Sequence, residues 1–194
     1  MAEESDACAV AHGAVSAQTG PAAVQAPAPA AAPVAAQAAA PGGDRTLVAV
    51  FAGPVSGYLL RYAADAGYRT VLVEPDAVRA DAAKMAGFPV LPAVPEDVEG
   101  ADVVVTDHHR DELGVALRDA LAAKARWVGI MGNPHHAGPH VAALESLGVA
   151  PGEIARVHRP IGLNIGSRTP PEIALSTQAG LIADRNSRPG GFSF

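Results

Sequence analysis

Cysteine is almost absent: Cys8 is the one in the chain, so neither an intrachain disulfide nor a cysteine-built zinc site can form. It reads as a free thiol without a task. From Met1 to about Asp44 the chain also lacks Phe, Tyr, Trp, Leu and Ile, and consists mostly of Ala, Pro, Gly, Gln and Val. Such a segment cannot bury enough apolar area to offset its ordering entropy, which predicts a disordered, Pro-stiffened tail over residues 1–45. Acidic first residues (Glu3, Glu4, Asp6) with no Leu-rich core behind them argue against a secretory signal. Prolines break the alanine run too often for a membrane span, so a cytoplasmic protein without a membrane partner is expected. A basic excess is missing too. Of the formal charge of −6, half belongs to the tail, where Glu3, Glu4, Asp6 and Asp44 oppose Arg45. A mildly acidic remainder with no basic stripe argues against nucleic-acid binding, and any anionic ligand must be held locally by loops and helix ends.

What is present from Thr46 onward is an alternation of strands and helices. Thr46–Phe51, Thr70–Val73, Phe88–Leu91, Asp102–Thr106, Trp127–Met131 and Arg156–His158 read as short buried strands. Helical spacing runs from Tyr58 to Ala66, closed by Gly67, from Ala77 to Ala86, ending at Gly87, and from Glu112 to Ala123. It returns from Pro139 to Leu147, stopping at Gly148, and from Pro170 to Asp184. This order predicts a Rossmann-like α/β domain over 46–186, a doubly wound, mostly parallel sheet with helices on both faces, and a flexible end over 187–194. In such folds ligands lie outside the carboxyl ends of the strands.

The first post-strand turn, Phe51 to Gly57, is a degraded dinucleotide loop. Of the three small positions in G-x-G-x-x-G/A, filled here by Phe51, Gly53 and Ser56, only the middle glycine is intact. Phe51 is expected to block the first tight-turn position, and Pro54 has no N–H. Glu74 falls where an acidic residue would accept from a ribose hydroxyl, or else it is a solvated strand-end charge. Histidines gather after two later strands: His108 and His109, then His135, His136 and His140. His136 and His140 have the i, i+4 spacing of a metal pair, but a helix starting at Pro139 leaves His136 in the loop, so no metal set is assigned.

The most defined local pattern is Pro160 to Ala174, PIGLNIGSRTPPEIA. Gly162 and Gly166 permit close approach of backbone to a ligand. Thr169, Pro170, Pro171 and Glu172 form a T-x-x-E helix start with proline in the first turn. Arg168 stands just before that cap, where an anion or polar heterocycle would be favoured.

The runs VHRPIGLNIGSRTPPEIALS (157–176), VGIMGNPHHAGPHVAAL (128–144) and FAGPVSGYL (51–59) carry a resemblance to the Rossmann-type domain of the XdhC/CoxI family, the xanthine dehydrogenase accessory factors. It covers about Thr46 to Arg185. Phe51 and Asn164 stand where that family commonly has a small residue and an aspartate. The resemblance implies a chaperone-like accessory role: binding molybdenum cofactor, assisting its maturation, and delivering it to an apo-molybdenum hydroxylase of the xanthine or CO dehydrogenase type. A cysteine desulfurase would be a second partner.

The expected cofactor-binding residues are Gly53, Pro54, Glu74, His108, Gly132, Asn133, His135, Gly162, Asn164, Gly166, Ser167, Arg168 and Thr169. No nucleophile, base and orienting residue can be assembled into a trio, so no catalytic residue is assigned and binding is favoured over catalysis. Two alternatives stay open: an NAD(P)-binding oxidoreductase and a ligand-free interaction module.

Overall fold

The computed structural model describes residues 45–132 and 138–191. The expected tail up to Asp44 lies outside the described residues, as do Asn133, His135, His136 and the last three residues. Six strands form one sheet: β1 (Thr46–Val50), β2 (Arg69–Val73), β3 (Val90–Leu91), β4 (Asp102–Val105), β5 (Trp127–Ile130) and β6 (Val157–His158). Its order is β3-β2-β1-β4-β5-β6, and every ladder is parallel rather than most of them. The helices are α1 (Pro54–Asp65), α2 (Ala77–Met85), α3 (Leu113–Ala122), α4 (His140–Ser146), α5 (Pro151–Ile154) and α6 (Pro170–Arg185).

The TLVAV and DVVV runs are continuous apolar strings because these central strands are covered on both faces. Side-chain alternation sends Val48, Val50, Val103 and Val105 to one core with Leu113, Leu117 and Leu144, and Leu47, Ala49 and Val104 to the other with Leu59, Leu60 and Leu181. The result is a doubly wound Rossmann-type sheet whose strand order reverses between β1 and β4, which is where such folds open a crevice.

Several boundaries shift by one or more residues from expectation, and one element is new. Helix α1 begins at Pro54, four residues before the apolar spacing becomes regular, because proline suits a first helical position and the Ser56 hydroxyl holds Gly53 at 2.9 Å. Strand β1 stops at Val50, since Phe51 already turns. The short α5, opened by Pro151, carries too few residues for an apolar period and was not anticipated. Helices α1, α2 and α4 do end where glycines are expected to stop them, before Gly67, Gly87 and Gly148. Beyond α6, Ser187 and Arg188 still donate to the carbonyls of Asp184 and Ala183.

At the amino edge the first residue of β4, Asp102, is fully buried and pairs with two guanidiniums: Arg126 at 2.6 Å and Arg185 at 2.7 Å. Arg185 also donates to the Gly100 carbonyl and lies 5.5 Å over the Tyr68 ring. Tyr68 follows α1, so α1 and α6 end together at the amino edge. Packed side by side, both helices therefore start at the carboxyl edge, α6 rising about 24 Å between the two.

Candidate functional site

Phe51 is fully buried, and its φ of 74° is the left-handed value that a glycine supplies in a dinucleotide loop. The tight turn is therefore made, not blocked as expected, at a strain of roughly 1–2 kcal/mol for a residue with a Cβ. Several contacts hold it there. Its N–H donates to the Val73 carbonyl, the Thr106 hydroxyl lies 2.9 Å from its carbonyl, and the Arg110 guanidinium sits 4.7 Å above its ring.

Glu74, at the end of β2, faces the same turn. It is not a solvated charge: its side chain is 0% exposed. One oxygen accepts from the Ala52 amide at 2.7 Å, the other from the Asp76 amide at 2.9 Å, and Arg110 pairs with both at 2.9 and 3.3 Å. Burial by itself would raise the carboxyl, but Arg110 and the two amides outweigh it and hold Glu74 below the usual carboxylate range. The Gly53 amide is taken as well, by the Ser56 hydroxyl, which donates back to the Gly53 carbonyl. With Ala52 and Gly53 engaged and Pro54 lacking an N–H, these three positions offer a ligand no backbone donor, although the turn itself is intact. The position of a Cβ on Gly53 nevertheless meets nothing within 4 Å, so the outer side of the loop is open.

The second region lies beyond β4, β5 and β6. His108 is half-buried, its ring 4.0 Å from that of His109. Burial, His109 and Arg159 push its imidazole below the ordinary value, against Asp107 and a hydrogen bond to the Met131 carbonyl. His140 is buried at the start of α4, and burial reinforced by Arg159 lowers it too, so it is neutral at pH 7. Two side chains close over glycines here: a Cβ on Gly132 would stand 2.7 Å from the Arg159 guanidinium, and one on Gly138 2.4 Å from the His140 ring. Asn133, His135 and His136 lie outside the described residues. Among the described residues no group of three His, Cys, Asp or Glu is placed to hold a metal ion.

The loop from Pro160 to Thr169 separates into two halves. Gly162, with φ 86°, packs on α6: a Cβ there would come within 2.9 Å of the Ser176 hydroxyl and 3.1 Å of helix backbone, and Leu163 N–H donates to the Ser176 carbonyl. Gly166, with φ 70°, has nothing within 4 Å of a Cβ position. Gly162→Ala is accordingly expected to destabilise by about 2–4 kcal/mol, from strain plus overpacking, against about 1 kcal/mol for Gly166→Ala. Equal denaturant midpoints for the two variants would overturn that division.

Thr169 caps α6 as expected, and Glu172 accepts from the amides of both Arg168 and Thr169 at 3.0 Å. Those amides hold the Glu172 carboxyl below its ordinary value. The carboxylate thus sits where a bound anion would sit on the helix start. What remains for a ligand on this loop is the exposed Arg168 side chain, which has no ion-pair partner among the described residues, with Ser167, Asn164 and the open Gly166 backbone.

The carboxyl edge therefore gathers the starts of α1 and α6, with Gly53, Pro54, Gly166, Arg168 and Thr169. It also carries Glu74, closed off by Arg110. Gly162 packs on the α6 backbone, and Gly132 faces the Arg159 guanidinium. Sequence reasoning places Arg110 only within the stretch that follows β4 and does not pair it with Glu74, because the two are 36 positions apart. A cleft of about 390 Å³, lined among others by Gly53, Ser56, Gly57, Arg79 and Phe88, opens between the start of α1 and α2. No helix among the described residues is long and apolar enough to cross a membrane.

Residues 47–181 match the family model described as the XdhC Rossmann domain. The chain is 34% identical over 89 residues to the uncharacterized protein YqeB of Escherichia coli K12, an alignment covering 46% of this chain and 16% of YqeB. A crystal structure from Bacillus halodurans, described as a xanthine dehydrogenase, superposes with a TM-score of 0.58 at 23% identity, covering 77% of this chain and 45% of that one. The chain thus spans less than half the length of either relative. That likeness concerns the fold, whereas the family match runs through both strand-end loops and most of α6: the chain belongs to the XdhC Rossmann domain family.

Proposed function

We propose that this domain acts as an accessory factor in a xanthine dehydrogenase-type system, binding molybdenum cofactor at the carboxyl edge of the sheet and assisting its maturation or insertion into the apo-hydroxylase. The observation that carries this reading is the outward half of the family loop. Gly166 leaves open space and Arg168 presents an exposed cation beside it, without an ion-pair partner among the described residues, at the edge where α1 also begins. A pyranopterin with a phosphate needs a cation for the phosphate and backbone that a flat ring can approach, and these residues fit both needs.

Arg168 would take the phosphate as a charge-assisted, bidentate partner, Ser167 and Asn164 would offer hydrogen bonds, and Gly166 would admit the ring edge. When bound, the cofactor would bring the molybdenum redox chemistry that belongs to the recipient enzyme. This chain's residues would hold and orient it until transfer. A cysteine desulfurase is the second partner this reading calls for. The occupied amides of Ala52 and Gly53 and the engaged Glu74 weigh against the NAD(P) oxidoreductase alternative.

Purification from a cofactor-producing host should yield molybdenum and pterin fluorescence in stoichiometric proportion. Arg168→Ala should lower retained cofactor about tenfold, the loss of one charge-assisted contact, with an unchanged melting temperature because the side chain is exposed. A folded protein that carries no pterin and takes up none in vitro sinks the reading.

A further inference from the structure

The last helix carries its polarity the wrong way round for an element that faces solvent. From Ile173 to Ala183 it has no charged residue. Its polar side chains in that stretch, Ser176, Thr177 and Gln178, are buried at 4%, 1% and 4% exposure, and the two hydroxyls donate to the Ile173 carbonyl. What α6 turns outward is apolar. Leu175 is 54% exposed, and Pro171, Ala179 and Ile182 lie half-buried on the same stripe, three or four positions apart. Tyr58, exposed, and Tyr62, half-buried, carry that surface onto α1, which packs alongside. An outer helix face in water has the reverse pattern, and a contiguous apolar surface of this kind marks a place where another protein sits.

A second copy of this chain is the occupant that the pattern fits. A two-fold contact has to be self-complementary, and α6 satisfies that when two copies run antiparallel. Leu175 of one copy then meets Ile182 of the other, and the small Ala179 at the axis lets the two backbones approach. Glu172, in the first turn of one helix, comes to the end where the other copy has the exposed Arg188, so the charges that flank the apolar stripe are of opposite sign where they meet. The helix dipoles oppose as well. Two helices about 9 Å apart and roughly 18–24 Å long present a face of roughly 500 Å², so a pair buries on the order of 1,000 Å², the lower limit of a specific interface. We propose that the domain forms a reversible two-fold dimer through the outer face of α6, flanked by Tyr58 and Tyr62. The antiparallel crossing sets the two Arg168 loops at opposite ends, about 24 Å apart, so pairing and the molybdenum reading stand or fall separately.

Sedimentation equilibrium of the full chain tests this and should show monomer and dimer exchanging with a dissociation constant on the order of 10 µM. Leu175→Glu should weaken the dimer at least about tenfold, with the melting temperature of the dilute monomer unchanged because the side chain is exposed. Val115→Glu makes the same charge change at a 44% exposed position of α3, on the other face of the sheet, and should leave association as it is. Mixing Leu175→Glu with Ile182→Lys should restore pairing between the two kinds of chain, since antiparallel helices put position 175 opposite position 182. A wild-type chain still monomeric at about 1 mM, or a dimer that Leu175→Glu leaves intact, would overturn the proposal. So would a monomer that binds the apo-hydroxylase and loses it in Leu175→Glu, which would assign this face to that enzyme instead.

Discussion

Asp102→Ala lowers the unfolding free energy by about 3–5 kcal/mol, a large share of the roughly 5–15 kcal/mol typical of a single domain. The carboxylate is fully buried and shared by Arg126, from the residue before β5, and Arg185, from the last turn of α6. Its removal leaves two guanidiniums facing a low-dielectric gap. Arg126 keeps Asp184 and is partly wet, but Arg185 has 15% of its side chain exposed and no second carboxylate among its described contacts. Asp102→Asn keeps the volume and one acceptor, so it should fall between wild type and alanine. Urea denaturation measures both. Arg118→Ala, which breaks the exposed pair with Asp119, serves as the contrast and should change stability by less than about 1 kcal/mol. A loss in Asp102→Ala no greater than in that control would show that the amino-edge network does not hold α6 to the sheet.

Arg110→Met should have a comparable effect at neutral pH, about 3–5 kcal/mol, because it strands the buried Glu74 carboxylate beneath the opening turn. Its pH dependence distinguishes it from a simple packing defect. In the wild type Glu74 lies below its unfolded value, so its contribution is fully present above that value and is lost as the pH falls through the folded one. Without the guanidinium only the two amides oppose burial, so the folded-state value rises and the variant loses less stability than the wild type as the carboxyl protonates. The stability difference between the two should shrink steadily as the pH is lowered from neutral into the carboxylate range. A difference independent of pH would mean that Arg110 acts through its contact with Phe51 alone, and Glu74→Gln in the Arg110→Met background would then restore nothing.

Much of the architecture is legible without coordinates, and for local reasons. A strand buried on both faces has to be a short apolar run, as TLVAV and DVVV are, and a helix stop or a T-x-x-E start involves residues within one turn. Those features delimited six strands and placed the start of α6. The misreadings lie where a residue's conformation is set from outside. Phe51 looked incompatible with a tight turn, yet Val73, Thr106 and Arg110 together hold it at φ 74°. Glu74 looked like either a ribose ligand or a solvated charge because its main partner, Arg110, is 36 positions away.

The alternating elements and the T-x-x-E start of α6 were thus determined by the sequence alone, since each depends on residues that are neighbours in the chain. Tertiary structure decided the strand order, the coming together of α1 and α6 at one edge, and which polar groups were left available there. Asp102 and Arg185, 83 positions apart, meet only because parallel crossovers return the chain to the same edge of the sheet. Whether a buried carboxylate is a ligand or a strut depends on such a meeting, and a charge carries no mark in the sequence of the partner that will neutralise it.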